Sequence, residues 1–310
     1  MDLDPARAQA LAREFGTDAI RSLEELKNKN IHAASVAVPT VNHRQVAGTL
    51  MEAGVDVLIE KPLASTLAEA EELIRLAQHN GRIAQAGHLE RFNPAVRASA
   101  PLVTQPMFFE VHRLSVFTPR ALDVDVVLDL MIHDLDVVLS LVNSPVKEIR
   151  AVGLPILSAK VDIANARLEF DSGCVANFTA SRVSTERVRK LRFFQPRQYL
   201  SIDYARQDVL VFSVQDSATP QTIPPSVSPA MGQSQSFGGL NIGVQKPAVK
   251  SEEPLKSELR SFLEAVRRRS RPLVSLEEGR RALAVALEIL ASIREHGRRL
   301  NLDVLGAPRA

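Results

Sequence analysis

Three short stretches carry the side chains best suited to chemistry. In the first, Val57-Leu58-Ile59 runs straight into Glu60-Lys61-Pro62. An unbroken apolar run reads as a strand buried on both faces of a parallel sheet. A proline, which has no N–H to give to a ladder, ends it. Lys61 is therefore expected at the carboxyl end of a buried strand, the edge of an open α/β sheet where ligands bind. A lysine held there beside an acid can bind a substrate hydroxyl or exchange a proton. The plainer alternative is a strand-end lysine reaching solvent.

The second stretch is Asp129-Leu130-Met131-Ile132-His133-Asp134-Leu135-Asp136. Residues four apart share a helix face, so Asp129 and His133 are expected to project together, with Asp136 close by. An acid and a histidine on one face can move a proton near neutral pH. The alternative is an ordinary helix with a partly buried, satisfied histidine. Two carboxylates and one histidine without a further ligand motif make a weak zinc set, so no metal is expected. The third stretch, Gly87-His88-Leu89-Glu90-Arg91-Phe92-Asn93-Pro94, is dense in polar side chains. It suits either substrate contact or a linker.

These residues need elements to hold them. Asp4 and Pro5 open a helix that Gly16 closes, and a second short helix starts near Ser22. Ala33 to Val38 reads as a strand, His43 to Ala53 as a helix, Val55 to Ile59 as a strand, Leu67 to His79 as a helix and Ile83 to Ala86 as a strand. This alternation predicts a doubly wound parallel sheet over residues 1–94. After Pro94 strands dominate: Phe108 to Val116, Ile149 to Ile156, Ala164 to Phe170, Val175 to Val183, Lys190 to Gln195, Tyr199 to Tyr204 and Val209 to Val214. With one helix, Val124 to Leu141, residues 95–310 read as an α+β domain with a large, mainly antiparallel open sheet. Residues 216–254, rich in Pro, Ser, Gln and Gly, read as a long loop that includes Gly238-Gly239. Helices Lys256 to Arg269 and Ser275 to Glu295 finish the chain and are expected to pack back toward the first domain. Ser275 and Glu278 form a capping box. The run Arg267-Arg268-Arg269 reads as a solvated helix end.

The totals exclude several classes. The 310 residues suffice for two domains. A formal net charge of +2 gives no footing for nucleic acid or a membrane surface. Cys174 is the only cysteine, which leaves no internal disulfide framework and suits a reducing cytoplasm, the expected location.

Taken together, Asp2-Leu3-Asp4-Pro5-Ala6-Arg7-Ala8, Pro39-Thr40 with His43, Glu60-Lys61-Pro62, and Asp129 with His133 and Asp136 resemble the Gfo/Idh/MocA family of nicotinamide-dependent sugar oxidoreductases, in order and in approximate spacing. Gly87 to Val96 is similar to a branch of that family that oxidises the 3-hydroxyl of UDP-N-acetylglucosamine. The resemblance implies that Lys61 binds the reacting hydroxyl, that His133 is its acid/base partner and that Asp129 orients the substrate. It implies that Asp2 takes the adenosine ribose, favouring NAD over NADP, and that Pro39, Thr40, His43, Glu60 and Lys61 line the cofactor. Arg91 and Asn93 are the expected substrate-side contacts. A homodimer or homotetramer through the second-domain sheet is expected.

The sequence departs from the family where a first strand and a G-x-G-x-x-G turn would precede Asp2. The expected fold is thus an incomplete Rossmann-type sheet, short of roughly 30 residues, with Met1 an internal methionine or a truncated start. Poor or absent cofactor binding is the expectation for such a sheet. Two other readings stay open: an NAD-dependent glycosidase or lyase in which oxidation is transient, and a non-catalytic sugar-binding protein.

Overall fold

The computed structural model describes residues 1–27, 29–118, 124–216, 235–237 and 240–300. In chain order its helices are α1 (Pro5–Phe15), α2 (Leu23–Lys27), α3 (His43–Glu52), α4 (Leu67–His79), α5 (Pro94–Ser99), α6 (Ile132–Leu141), α7 (Pro254–Arg268) and α8 (Leu276–Arg299). The first strands are β1 (Ala33–Val36), β2 (Asp56–Glu60), β3 (Ala84–Gly87) and β4 (Phe108–Val116). Then come β5 (Val146–Leu154), β6 (Ile163–Phe170), β7 (Val175–Ser184) and β8 (Val188–Gln195). The last are β9 (Gln198–Asp203), β10 (Asp208–Asp216), β11 (Gln235–Phe237) and β12 (Leu240–Gln245). Two compact units result: Met1–Gly87 with Leu259–Arg280, and His88–Glu258 with the chain from Arg281 on. None of the helices among the described residues is long and apolar enough to cross a membrane.

The first unit holds a parallel sheet in the order β1-β2-β3. Asp4 caps α1 by accepting from the N–H groups of Ala6 and Arg7, and Gly16 ends it in the left-handed conformation (φ 61°). α4 starts and stops where the sequence places it, because Thr66 and Glu69 cap each other's backbone in a capping box. Buried Val57, Leu58 and Ile59 make β2 the centre of the sheet. The free side of β3 is covered: Ala86 N–H donates to Val274 O at 3.1 Å, and Gln85 bridges Ser275. The Ser275–Glu278 capping box forms, with bonds of 3.0 and 3.3 Å. The start of α8 lies so close to β3 that a Cβ on Gly279 would sit 2.7 Å from the Ala86 Cβ. Arg269 is not simply a solvated helix end. At φ 50° it donates to Asp56 Oδ2 and to Gly81 O, tying the α7–α8 turn to the base of the sheet.

The second unit is built on a nine-stranded sheet in the order β11-β12-β10-β9-β8-β4-β7-β6-β5. It is antiparallel except that β4 and β7 run parallel. Period-two alternation puts Phe109, Phe178, Phe193 and Phe170 on one face, in the core beside Leu135, Ile132 and Ile289. Each such side chain contributes about 1.5–3 kcal/mol by leaving water. The opposite face carries a cross-strand row of rings, Phe108, Phe194, Tyr199 and Phe212, with centroids 4.8–5.6 Å apart.

Three expectations are corrected here. β11 and β12 lie inside the stretch read as a long loop, and β12 pairs with β10. Gly238-Gly239 falls outside the described residues. β5 ends at Leu154 instead of Ile156 because the N–H groups of Ile156, Leu157 and Ser158 donate to the Asp162 carboxylate and not to a ladder. The single helix expected over Val124 to Leu141 is two: a π-helical turn, Val127–Met131, runs into α6.

Candidate functional site

In the first unit the candidate residues gather at the carboxyl ends of the strands. β2 delivers Glu60 to its last position, and Lys61 follows, half-buried, with buried Pro62 next. Gly87 ends β3 directly beside Glu60. A Cβ there would stand 3.0 Å from Glu60 Cα and 3.3 Å from its carboxyl carbon, so only glycine leaves the Glu60 side chain its space. The Glu60 carboxylate accepts from the Lys61 N–H at 3.3 Å.

His43 is buried behind this edge. Its Nδ1 lies 3.0 Å from Pro62 O and its Nε2 2.9 Å from Val38 O. The ring therefore spans the two strand-end turns, the one carrying Lys61 and the one leading into Pro39 and Thr40. Its direct job in the structure is to hold those turns, and its location behind them was not legible from the sequence.

Asp2 is exposed, its Oδ1 accepting from Asp4 N–H at 2.9 Å and its Oδ2 3.9 Å from the Arg7 guanidinium. With Leu3, Ile20, Val38 and Asn42 it lines a cavity of about 810 Å³. Its walls are mixed: apolar Leu3, Ile20 and Val38 stand beside Asp2, the Arg21 guanidinium and the side-chain amides of Asn42 and Gln45. Among the described residues no glycine-rich turn leads a strand into a helix N-terminus, so the pyrophosphate grip of a dinucleotide site is not among them.

In the second unit the candidate residues are set by buried charge. The π turn carries Asp129, and the next turn, the start of α6, carries His133. π turns of this kind recur at functional positions. The turn's leading end is held by Val126 N–H to Val161 O and by Val161 N–H to Asp125 Oδ1, each 2.9 Å. Asp134 points into the protein and receives the Arg113 guanidinium at 2.6 and 2.9 Å. Arg113 also donates to Glu90 at 3.0 Å and lies 5.2 Å over the Tyr204 ring. Burial pushes the Arg113 guanidinium down, and the Asp134 and Glu90 carboxylates more than reverse it, so it stays charged.

The polar stretch after β3 divides in two. Asn93 is buried. Its amide donates to Glu90 and to Tyr204 O at 3.1 Å each, and its oxygen caps α5 through Ala95 N–H. Every polar atom of Asn93 is used inside the protein. Arg91 is partly exposed and lies 3.6 Å from Asp136. Arg113, Asp134 and Tyr204 escaped the sequence reading, because nothing local pairs a β4 arginine with acids 21 and 23 residues away. Among the described residues no group of three or more His, Cys, Asp or Glu is placed to hold a metal ion.

Comparison with known proteins gives this arrangement a family. Residues 1–88 match the model of an oxidoreductase family with an NAD-binding Rossmann fold. Residues 104–197 match the Gfo/Idh/MocA C-terminal domain. The chain is 33% identical to the UDP-N-acetylglucosamine 3-dehydrogenase of Acidithiobacillus ferrooxidans over 295 residues, 94% of this chain and 88% of that protein. It is 28% identical to the scyllo-inositol 2-dehydrogenase (NAD(+)) of Bacillus subtilis over 57% of each chain. A solved structure of the Acidithiobacillus enzyme superposes with a TM-score of 0.82, covering 94% of this chain and 88% of that one at 31% identity. An aldose-aldose oxidoreductase from Caulobacter crescentus shares the fold at a TM-score of 0.76, with 94% and 88% covered and 19% identity. The chain belongs to the Gfo/Idh/MocA family of oxidoreductases.

Proposed function

We propose that this protein is an NAD-dependent dehydrogenase of a nucleotide-linked amino sugar, oxidising the 3-hydroxyl of UDP-N-acetylglucosamine or a close analogue. The observation that carries the reading is the identity of 33% across 94% of the chain to an enzyme of that name. It is supported by the strand-end placement of Lys61 and by the placement of Asp129 in the π turn that leads into the first turn of α6, which carries His133.

Each residue's task follows from its chemistry. The Lys61 ammonium holds the reacting hydroxyl oxygen and favours loss of its proton. His133 takes that proton, leaving the oxygen's electron pair to form the carbonyl. Asp129, one turn earlier, accepts from a neighbouring sugar hydroxyl and fixes the ring. When bound, NAD supplies the hydride acceptor at its nicotinamide C4. Asp2 binds the adenosine ribose hydroxyls, and its charge opposes a 2′-phosphate, which favours NAD over NADP. Pro39, Thr40 and Glu60 line the cofactor, with His43 supporting from behind. Arg91 contacts the substrate, and Asn93 holds the turn that presents it. The ring-bearing face of the large sheet supports a homodimer or homotetramer.

The deciding experiment is NADH formation from NAD and UDP-N-acetylglucosamine, followed at 340 nm. Net NADH with ketone product is the expected result. Sugar turnover without net NADH would replace this reading with transient oxidation, as in a glycosidase or lyase. Sugar binding without any turnover would replace it with a binding protein.

A further inference from the structure

We propose that Arg113 is a positioning residue that ties together the two segments presenting Arg91 and His133 to the substrate. The functional assignment of those two side chains rests on the function proposed above, whereas the tie itself rests on geometry alone. Arg113 projects from β4 and is 3% exposed. One edge of its guanidinium meets Asp134 in a two-bonded fork, and its remaining nitrogen meets Glu90. Asp134 follows His133 directly, and Glu90 precedes Arg91 directly. Successive helix residues differ by about 100° around the axis, so anchoring Asp134 fixes the direction of His133. Anchoring Glu90, which also accepts from Asn93, fixes the turn Leu89–Phe92 that carries Arg91. The Arg91–Asp136 pair joins the same two segments a second time, nearer the surface.

A packed apolar side chain would fill the space of Arg113 without setting these angles. Three directed, charge-assisted bonds do set them, because a planar guanidinium accepts few orientations of its partners. At its centre one guanidinium and two carboxylates, all under 10% exposed, meet directly, with the Tyr204 ring closing one side and the half-buried Arg189 guanidinium within electrostatic reach of all three. Leaving either acid without its partner is costly in such surroundings, so neither segment has a second resting geometry of similar energy.

The test uses the full chain carrying Arg113→Met, Arg113→Lys or Glu90→Gln. Hydrogen exchange of the backbone and steady-state kinetics with NAD and UDP-N-acetylglucosamine are read together. In Arg113→Met, amides of residues 89–93 and 132–136 lose protection together and by more than those of β6 and β7, which fall only with the stability of the whole unit. kcat/KM for the sugar falls by about 100-fold, the scale of a 1 Å misplacement. NADH affinity is unchanged. Arg113→Lys, which keeps the charge but not the fork, recovers part of the loss. Glu90→Gln loosens residues 89–93 alone and stands in if Arg113→Met does not fold. Wild-type exchange in both segments for Arg113→Lys and Glu90→Gln, or exchange raised uniformly across the unit, overturns the proposal. If the wild-type chain oxidises no nucleotide sugar, the proposed function falls, and the exchange data still decide whether Arg113 ties the two segments.

Discussion

Lys61 and His133 are held by opposite means. Around Lys61 the fixing contacts are main-chain ones: the β2 ladder, the Lys61 N–H on Glu60, the glycine at 87 and an imidazole set between two carbonyl oxygens. Around His133 they are side-chain charges, with Glu90, Arg113, Asp134 and Asp136 at 7%, 3%, 2% and 2% exposure. A strand end positions whatever residue the chain delivers there, so its side chain is open to selection for chemistry. A helix face positioned by an ion cluster depends on every member of the cluster. The first arrangement should tolerate changes near its functional residue, and the second should not.

The largest effects are expected at the side chains proposed to act on the substrate. His133→Ala should lower kcat by about 10²–10⁴-fold, the usual contribution of a positioned acid/base, and Lys61→Ala should do comparable damage. Far-UV circular dichroism and melting temperature should stay near wild type for Lys61→Ala, whose side chain ends a strand. Activity within a few-fold of wild type in either variant would remove that residue from the proposed chemistry.

Next in size is a contrast in stability between two arginines that both bond an aspartate. Arg113→Met should cost about 3–5 kcal/mol in urea unfolding, because it strands two buried carboxylates. Arg269→Met, at the Asp56 pair of the smaller unit, should cost about 1 kcal/mol or less, since the Arg269 side chain is 47% exposed and water replaces it. Equal losses would erase the distinction drawn between the two units.

The same division explains what could be read in the sequence. Ladder-based features announce themselves locally. The apolar run before Pro62, the Asn80-Gly81 stop after α4 and the Asp171-Ser172-Gly173 hairpin each follow from a few neighbouring residues. The strand-end position of Lys61 was therefore legible. Features made by distant partners were not. Asp162 draws three N–H groups out of the end of β5, the parallel pairing of β4 with β7 spans 67 residues at Phe108 and Val175, and Arg113 selects its acids through space. Asn93 looked like a substrate contact because its motif is polar, yet its bonds all turn inward. The π turn leaves no local mark, since Val127–Met131 is a good α-helical sequence. β12 does alternate, with Leu240, Ile242 and Val244 set against Asn241, Gly243 and Gln245, but this six-residue run is hidden by the Pro/Ser/Gln/Gly-rich composition around it, and β11 spans only three residues.

A smaller effect concerns pH. Burial raises the Asp162 carboxyl, but the Ser158 hydroxyl and three backbone N–H donors outweigh it and hold the group below its ordinary 3.8. The sign follows directly. The unfolded chain takes up this proton at higher pH than the folded one, so the stabilisation is complete above about pH 4 and is lost as pH falls through the lowered folded value. The larger unit should weaken along that limb, and Asp162→Asn should be less stable at pH 7 with a flatter acid limb. An unchanged acid limb in that variant would assign acid sensitivity to other carboxylates.

The smallest signal gives the sharpest comparison, because it reads one unit alone. Cys174 is the only cysteine, lies 2% exposed in the larger unit, and has its thiol pushed up to about 11 by burial. At pH 8 it is neutral and shielded, so a thiol reagent such as DTNB reacts only when that unit opens. Labelling of the wild-type chain should therefore be slow and should saturate at one equivalent on unfolding. Arg113→Met should speed it about tenfold for each 1.4 kcal/mol lost. Arg269→Met, which loosens only the smaller unit, should leave the rate at its wild-type value. If both variants accelerate labelling alike, the two units open as one cooperative body, and the contrast between main-chain and charge-cluster positioning carries no separate stability for either.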